Sequence, residues 1–423
     1  MDHPLKNPEF RKYLAASLFG SLGAYLMEIA LMWWVLEATG RRDSVAWVAL
    51  ATALTGLTAS LFGGVLADRG NKVRLAALGY SIGVLAPLVA GLLLWSGHLS
   101  FGLVLAIVAV DNLAFQFFAP AKNALAPLLI PKDQYQQAMA LANGMGKGLQ
   151  MLSMPLGGVL VATIGVMATL FVTAAVYLVA AFLMSLVRAP RGAVPPKAEE
   201  TAADSAAPRG FRARWIAPMA DAARTLLSIP LLAAAVFVAA LMNFILAPIA
   251  PAMAPYAKSL GAGPEGYGLL LAGLTAGELL GYAVFGARKT PRALPYLFGG
   301  NLAMGLGLAS LAVIGVVPLA VLALAFSGFA VVALNVHVNA LALAVIPEAY
   351  LGRAVSVLGA ISMGLGPLGL AAAGFALRAF SPALILGVAG LAAALTSVLW
   401  LTPVIARAVR EAEEAIHGAA EPA

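Results

Sequence analysis

Long apolar blocks alternate with short polar breaks along the chain. Reading each block of roughly 20 or more residues as one bilayer crossing predicts helices over 12–38, 44–67, 74–96, 99–121, 136–163, 165–188, 228–256, 264–287, 293–314, 316–346, 350–378 and 381–404. Lipid offers backbone groups no partners, and a helix satisfies its own within the segment. The alternating ten-residue strands of a membrane barrel are not seen. One long polar stretch interrupts the series between Ala189 and Arg224, with Pro190, Pro195, Pro196, Glu199, Glu200 and Asp204. It reads as a flexible linker. The pattern therefore predicts an all-α polytopic membrane protein in four segments. These are an N-terminal six-helix bundle over 1–188, a cytoplasmic linker over 189–224, a C-terminal six-helix bundle over 225–404 and a cytoplasmic tail over 405–423.

The halves repeat. Asn123 to Pro131 closes the fourth predicted span and Asn339 to Pro347 closes the tenth, with Asn, Ala, Leu, Ala, Ile and Pro in matching places. Pro155-Leu156-Gly157 in the fifth span mirrors Pro367-Leu368-Gly369 in the eleventh, displaced by about one helical turn. Both pairs of segments fall on the same side of the membrane, so the halves are expected to be parallel repeats about an axis along the membrane normal.

Composition sharpens the class. Of 423 residues, 62% are hydrophobic and 11% charged, against about 25% charged in soluble domains. The 43 glycines suit close helix approach in lipid. Cysteine is absent, which excludes a disulfide framework, a thiol nucleophile and a Cys-ligated metal. The four histidines are too scattered for a metal centre, and no HExxH, GxSxG or P-loop pattern appears. No enzyme, no cofactor and no ATP drive is expected.

The net charge of +7 is explained by membrane topology, not by a nucleic-acid partner. With the N-terminus in the cytoplasm, Lys6, Arg11, Lys12, Arg69, Lys72, Arg74, Lys122, Lys132, the linker arginines, Arg288, Lys289, Arg292, Arg353, Arg407 and Arg410 lie inside, and only Arg41, Arg42, Lys258 and Arg378 outside. The asymmetry places both termini in the cytoplasm and supports an even number of spans. The N-terminus carries no cleavable signal pattern and leads directly into the first span.

Ionisable residues at mid-bilayer are costly and are functional candidates by default. Glu28 ends a stripe of Ser17, Ser21, Tyr25 and Glu28 at helical spacing. Asp111, Asn112 and Gln116 mark the fourth span, and Lys147 the fifth with Gln150 nearby. Asp111 and Lys147 each lie roughly 15 Å above their cytoplasmic helix ends, at 1.5 Å per residue. Equal depth allows an ion pair, either structural or a switch that a proton or a cationic ligand breaks. In the seventh span Asn243 precedes Pro248, Pro251 and Pro255, a kinked segment suited to a gate. Asn335, His337 and Asn339 cluster in the tenth span, and Glu278 stands in the eighth. Trp33 and Trp34 read as interfacial anchors.

The loop after the second span reads Gly64-Val-Leu-Ala-Asp68-Arg69-Gly70-Asn71-Lys72-Val73-Arg74. It resembles the signature of the major facilitator superfamily, with Asn71 where Gly is usual and expected to serve the same left-handed turn. Phe10-Arg11, Ala119-Pro120-Ala121, Ala142-Asn143 and Gly352-Arg353 make the chain most similar to the drug:proton antiporter branch that includes macrolide and enterobactin exporters. The resemblance implies two pseudo-symmetric six-helix bundles around a cavity lined by spans one, four, seven and ten. It also implies a cytoplasmic gate motif formed by Gly64, Asp68, Arg69, Lys72 and Arg74. The implied activity is export of a lipophilic or amphipathic small molecule, drug or siderophore-like, against protons. A monomer in a bacterial inner membrane is expected. The proton-coupling and cavity candidates are Glu28, Asp111, Lys147, Tyr25, Asn112, Gln116, Asn243, Asn335 and His337. Two rival readings are a lysophospholipid flippase and an uptake carrier of a small solute.

Overall fold

The computed structural model describes residues 4–69, 71–188, 217–286, 292–346 and 351–418, with side chains omitted at 57–69, 132, 217–220, 222, 351–356 and 415–418. Regular structure among these residues is helical throughout. The first half comprises α1 (Pro8–Thr39), α2 (Asp43–Arg69), α3 (Lys72–Trp95), α4 (Phe101–Asn123), the short α5 (Ala126–Leu129) and α6 (Tyr135–Ser185). The second comprises α7 (Ala217–Leu227), α8 (Pro230–Leu246), α9 (Ile249–Ser259), α10 (Pro264–Phe285), α11 (Leu294–Ser310), α12 (Val317–Val345), α13 (Leu351–Met363), α14 (Gly366–Ala379), α15 (Pro382–Thr396) and α16 (Pro403–Gly418). Among the described residues, nine helical stretches are long and apolar enough to cross a bilayer. The 51-residue α6 contains two predicted spans, and α2 and the 17-residue α11 occupy the two remaining predicted positions. The result is the twelve-span, all-α polytopic architecture.

Local sequence explains the helix ends. Asn7 caps α1 by accepting from the Glu9 and Phe10 amides, Pro8 opens the helix, and Gly40 closes it at φ 62°. Ser100 caps α4 and Ser381 caps α15 in the same way. Asn71 departs from expectation. It adopts an extended conformation, φ −69° and ψ 109°, and its side chain accepts from the Arg74 amide. Asn serves here as an N-cap for α3 and not as a left-handed turn.

The boundary predicted between the fifth and sixth spans is a single residue. Gly165 sits at φ 80° and ψ 165° inside α6, a region open to glycine alone. Ala138 near the start of α6 and Met184 near its end both join the buried cluster around Phe10, so the chain doubles back at Gly165. The seventh span breaks between Leu246 and Ile249, at Pro248, as its prolines predict.

Contacts divide the chain into two units, Met1–Glu199 with Met253–Ala272, and Glu200–Ala252 with Gly273–Ala423. In the first, α6 packs along α1 and α3, and α4 along α2 and α3. Near the N-terminus of the chain lies a core of Phe10, Tyr13, Tyr80, Leu125, Ile130, Tyr177 and Met184. In the second, α11 packs against α12 and α15. Asn301 Nδ2 donates to Thr396 Oγ1 at 3.0 Å within this buried contact.

Three expectations are revised. Residues 189–216 of the predicted linker lie outside the described residues, but α7 begins at Ala217, inside the stretch expected to be flexible, because Ala217–Leu227 is rich in strong helix formers. The tail is a docked helix: in α16, Ala406, Val409 and Ala412 are buried at three-residue spacing, and the Glu413 carboxylate accepts from the Ala293 amide at the start of α11. Trp33 is not an interfacial anchor but is packed inside at 4% exposure, while Trp34 is half-buried.

Candidate functional site

Three sets of helical residues in the first unit line an open cavity of about 490 Å³. From α1 come Leu14, Ser17, Ser21 and Tyr25; from the end of α4 and α5, Lys122, Asn123 and Ala126; from α6, Met139, Asn143, Lys147 and Gln150. The α1 and α6 sets recur every three or four residues, so one face of each of these helices looks inward. Polar groups stand at inward positions where an apolar core would place leucine. The Ser17 hydroxyl lies beside those of Tyr13 and Tyr80, and neither Ser17 Oγ nor Tyr80 Oη completes a hydrogen bond among the described residues.

Of the predicted site residues, the cavity takes Tyr25 and Lys147. Glu28 lies about one turn beyond Tyr25, exposed although it stands deep among surrounding helices. It makes no hydrogen bond or ion pair with a described residue. The buried Tyr267 hydroxyl, in the same unit, is within its electrostatic reach. Asp111 is half-buried and does not line the cavity. Its charge reaches the buried Tyr177 hydroxyl, and it makes no ion pair among the described residues. The Asp111–Lys147 pair suggested by their equal depth is thus not formed.

Asn112 and Gln116 face α2. Asn112 Nδ2 donates to Thr52 O at 2.6 Å and to Thr55 Oγ1 at 3.0 Å, and both amides lie against Gly56. They tie α4 to α2. In the second unit Asn243 is exposed and bonds Ala239 O, one turn back, at 2.9 Å. Asn335 is exposed, whereas His337 is buried. Its ring stacks on Tyr296 at 4.3 Å, and Nδ1 lies 2.6 Å from Ala333 O. His337 and Asn335 therefore point in different directions from one helix. In the gate motif Lys72 is half-buried and Arg74 exposed at the start of α3. Gly64, Asp68 and Arg69 lie in α2, and the Asp68 and Arg69 side chains are not among those described.

The polar cavity residues Tyr13, Lys122, Asn123, Tyr135 and Asn143 were not singled out for chemistry from the sequence. The signal was the period of 139, 143, 147 and 150 in α6, which continues the face of Lys147.

The family described as transmembrane secretion effector matches residues 3–421. The chain belongs to the major facilitator superfamily. Among curated relatives of this superfamily member, the multidrug efflux pump Tap of Mycolicibacterium fortuitum is 25% identical over 374 residues, covering 85% of this chain and 87% of that protein. YfiS of Bacillus subtilis strain 168, an uncharacterized MFS-type transporter, is 24% identical over 373 residues and 85% of each chain. Two solved structures share the fold of this major facilitator protein. A bacterial homologue of the iron transporter ferroportin, inward-facing, gives a TM-score of 0.69 at 14% identity, covering 93% of this chain and 98% of that one. The nucleoside transporter NupG, as a D323A mutant, gives 0.71 at 13% identity, covering 96% and 99%. The protein is a multi-pass membrane transporter of the major facilitator type.

Proposed function

We propose that this transporter exports lipophilic or amphipathic small molecules by alternating access, with protons moving in the opposite direction. The observation that carries the reading is the α1 stripe. Ser17, Ser21 and Tyr25 line the cavity, and Glu28 continues the same face as a carboxylate with no hydrogen bond or ion pair among the described residues. A carboxyl inside the membrane, not committed to a structural bond, is able to take up and release a proton in each cycle. The apolar contribution of Leu14, Leu18 and Met139 suits a lipophilic cargo, and the relative named as a multidrug efflux pump supports outward transport. The cell membrane is its place, with both termini cytoplasmic as the distribution of basic residues favours, and the working unit is a monomer. Asp111 is a second proton-carrying candidate, and the activity is transport without catalysis.

The test uses everted vesicles carrying the protein and an acid-inside pH gradient, followed with a pH dye. A panel of macrolides, siderophores and amphipathic ions is added, with Glu28→Gln and Asp111→Asn vesicles alongside. Substrate-dependent proton release that Glu28→Gln abolishes supports the reading. Absence of release with any compound, from correctly inserted protein, overturns it and favours lipid flipping or an uncoupled carrier.

A further inference from the structure

The charge of the cavity says more about its ligand than its size does. Lys122 and Lys147 both line it, and none of the described lining residues is acidic. The remaining polar side chains, among them Ser17, Tyr25, Asn123, Asn143 and Gln150, all carry a hydrogen-bond donor. Glu28 is about one turn beyond the lining, and Asp111 is outside it. Lys147 is already engaged within the protein. Lys122 is not: its nearest described partner is the face of the Phe115 ring, 5.6 Å from the ammonium to the centroid. Among the described residues this half-buried ammonium is met only by a ring and has no anion of the kind that low-dielectric surroundings call for. Leu14, Leu18 and Met139 form an apolar wall of the same cavity.

We infer that the cavity receives the acidic head of an amphipathic anion, a carboxylate, sulfonate or phosphate ester, with Lys122 as its main counter-charge, Lys147 as the second, and the apolar wall against its tail. The inference rests on the export reading for the choice of cavity and narrows that reading to anionic cargo. Hydrogen bonds between charged partners are the stronger kind and set the head group. A cationic amphipath of equal tail length meets two like charges instead.

The test is binding to the full chain in phosphatidylcholine nanodiscs, by titration calorimetry with empty discs subtracted. The probes are octyl phosphate, octanesulfonate, octyltrimethylammonium, lysophosphatidate and inorganic phosphate. Octyl phosphate and octanesulfonate are expected to bind at least about tenfold more tightly than octyltrimethylammonium, and Lys122→Gln to lose about tenfold for the anions only. Lys122→Arg, which keeps the charge, retains binding and controls for folding. Lysophosphatidate bound more tightly than octyl phosphate identifies a lipid headgroup as the source of the anion, and the reverse a soluble amphipath. Octyltrimethylammonium bound as tightly as the anions overturns the inference, as does anion binding unchanged in both Lys122→Gln and Lys147→Gln. The two readings separate cleanly. Cations that bind more tightly and leave with proton exchange in the vesicle assay remove the anionic class and keep export. Anions that bind through Lys122 without any vesicle transport keep the site and remove export.

Discussion

At the scale of single residues, direction of approach decides function more than residue type. Asn112 and Gln116 have the polarity of a cavity lining, yet they bond or face α2. Asn335 and His337 are two positions apart, one exposed and one stacked on Tyr296. Replacing His337 with Leu is therefore expected to destabilise the protein by about 1–3 kcal/mol, through loss of the stack and the Ala333 contact. The pH profile of transport should keep its shape. Thermal unfolding in detergent and transport rates across pH check both halves of this expectation. Glu28→Gln should behave in the opposite way, folding normally while losing proton-linked transport. Sequence showed the α1 stripe because helical periodicity places Ser17, Ser21, Tyr25 and Glu28 on one face. It did not show what Asn112 meets, because that depends on which neighbouring helix covers the fourth span. Lys122 was legible only as a topological charge, since its place at the end of α4 hides its exposure to the cavity.

Among the elements, glycine sets how closely helices approach. A Cβ on Gly390 of α15 would overlap the Ala309 amide, and one on Gly305 of α11 would overlap the Ala394 backbone. Gly390→Ala must push these helices apart, at a cost of about 1–3 kcal/mol, visible as a lowered unfolding midpoint. Gly299, inside α11, has open space around its Cβ position, so Gly299→Ala should not lower the midpoint and is expected to raise it slightly. Gly165→Ala carries a different penalty, about 1–3 kcal/mol of backbone strain at φ 80°. It should lower stability without altering ligand affinity. Span positions were legible because a bilayer demands long apolar blocks. The break at Pro248 was equally legible, since proline removes a donor. The docking of α16 was not, because its arginines and glutamates gave it the composition of a solvated tail while Ala406, Val409 and Ala412 supply only a narrow apolar edge.

For the whole molecule, the cysteine-free sequence allows its orientation to be measured directly. Single cysteines at Arg42 and Arg410, both exposed, should react with a membrane-impermeant maleimide from opposite faces of the membrane: Arg42→Cys in intact cells, Arg410→Cys only in everted vesicles. Labelling of both from one face would overturn the cytoplasmic placement of the termini. The basic residues fixed this expectation through their numbers on each side, whereas the gate role expected of Asp68 and Arg69 depends on side chains outside the described ones. The turn at Gly165 also gears the fifth and sixth spans to each other. With no loop to absorb slack, one residue inserted after Gly165 would rotate the rest of α6 by about 100° about its own axis, given 3.6 residues per turn. Tyr177, which now lies against Gly23 and Gly83, would swing towards lipid. Two of the twelve spans thus share a single phase, and evolution can lengthen neither at that end without re-facing the other.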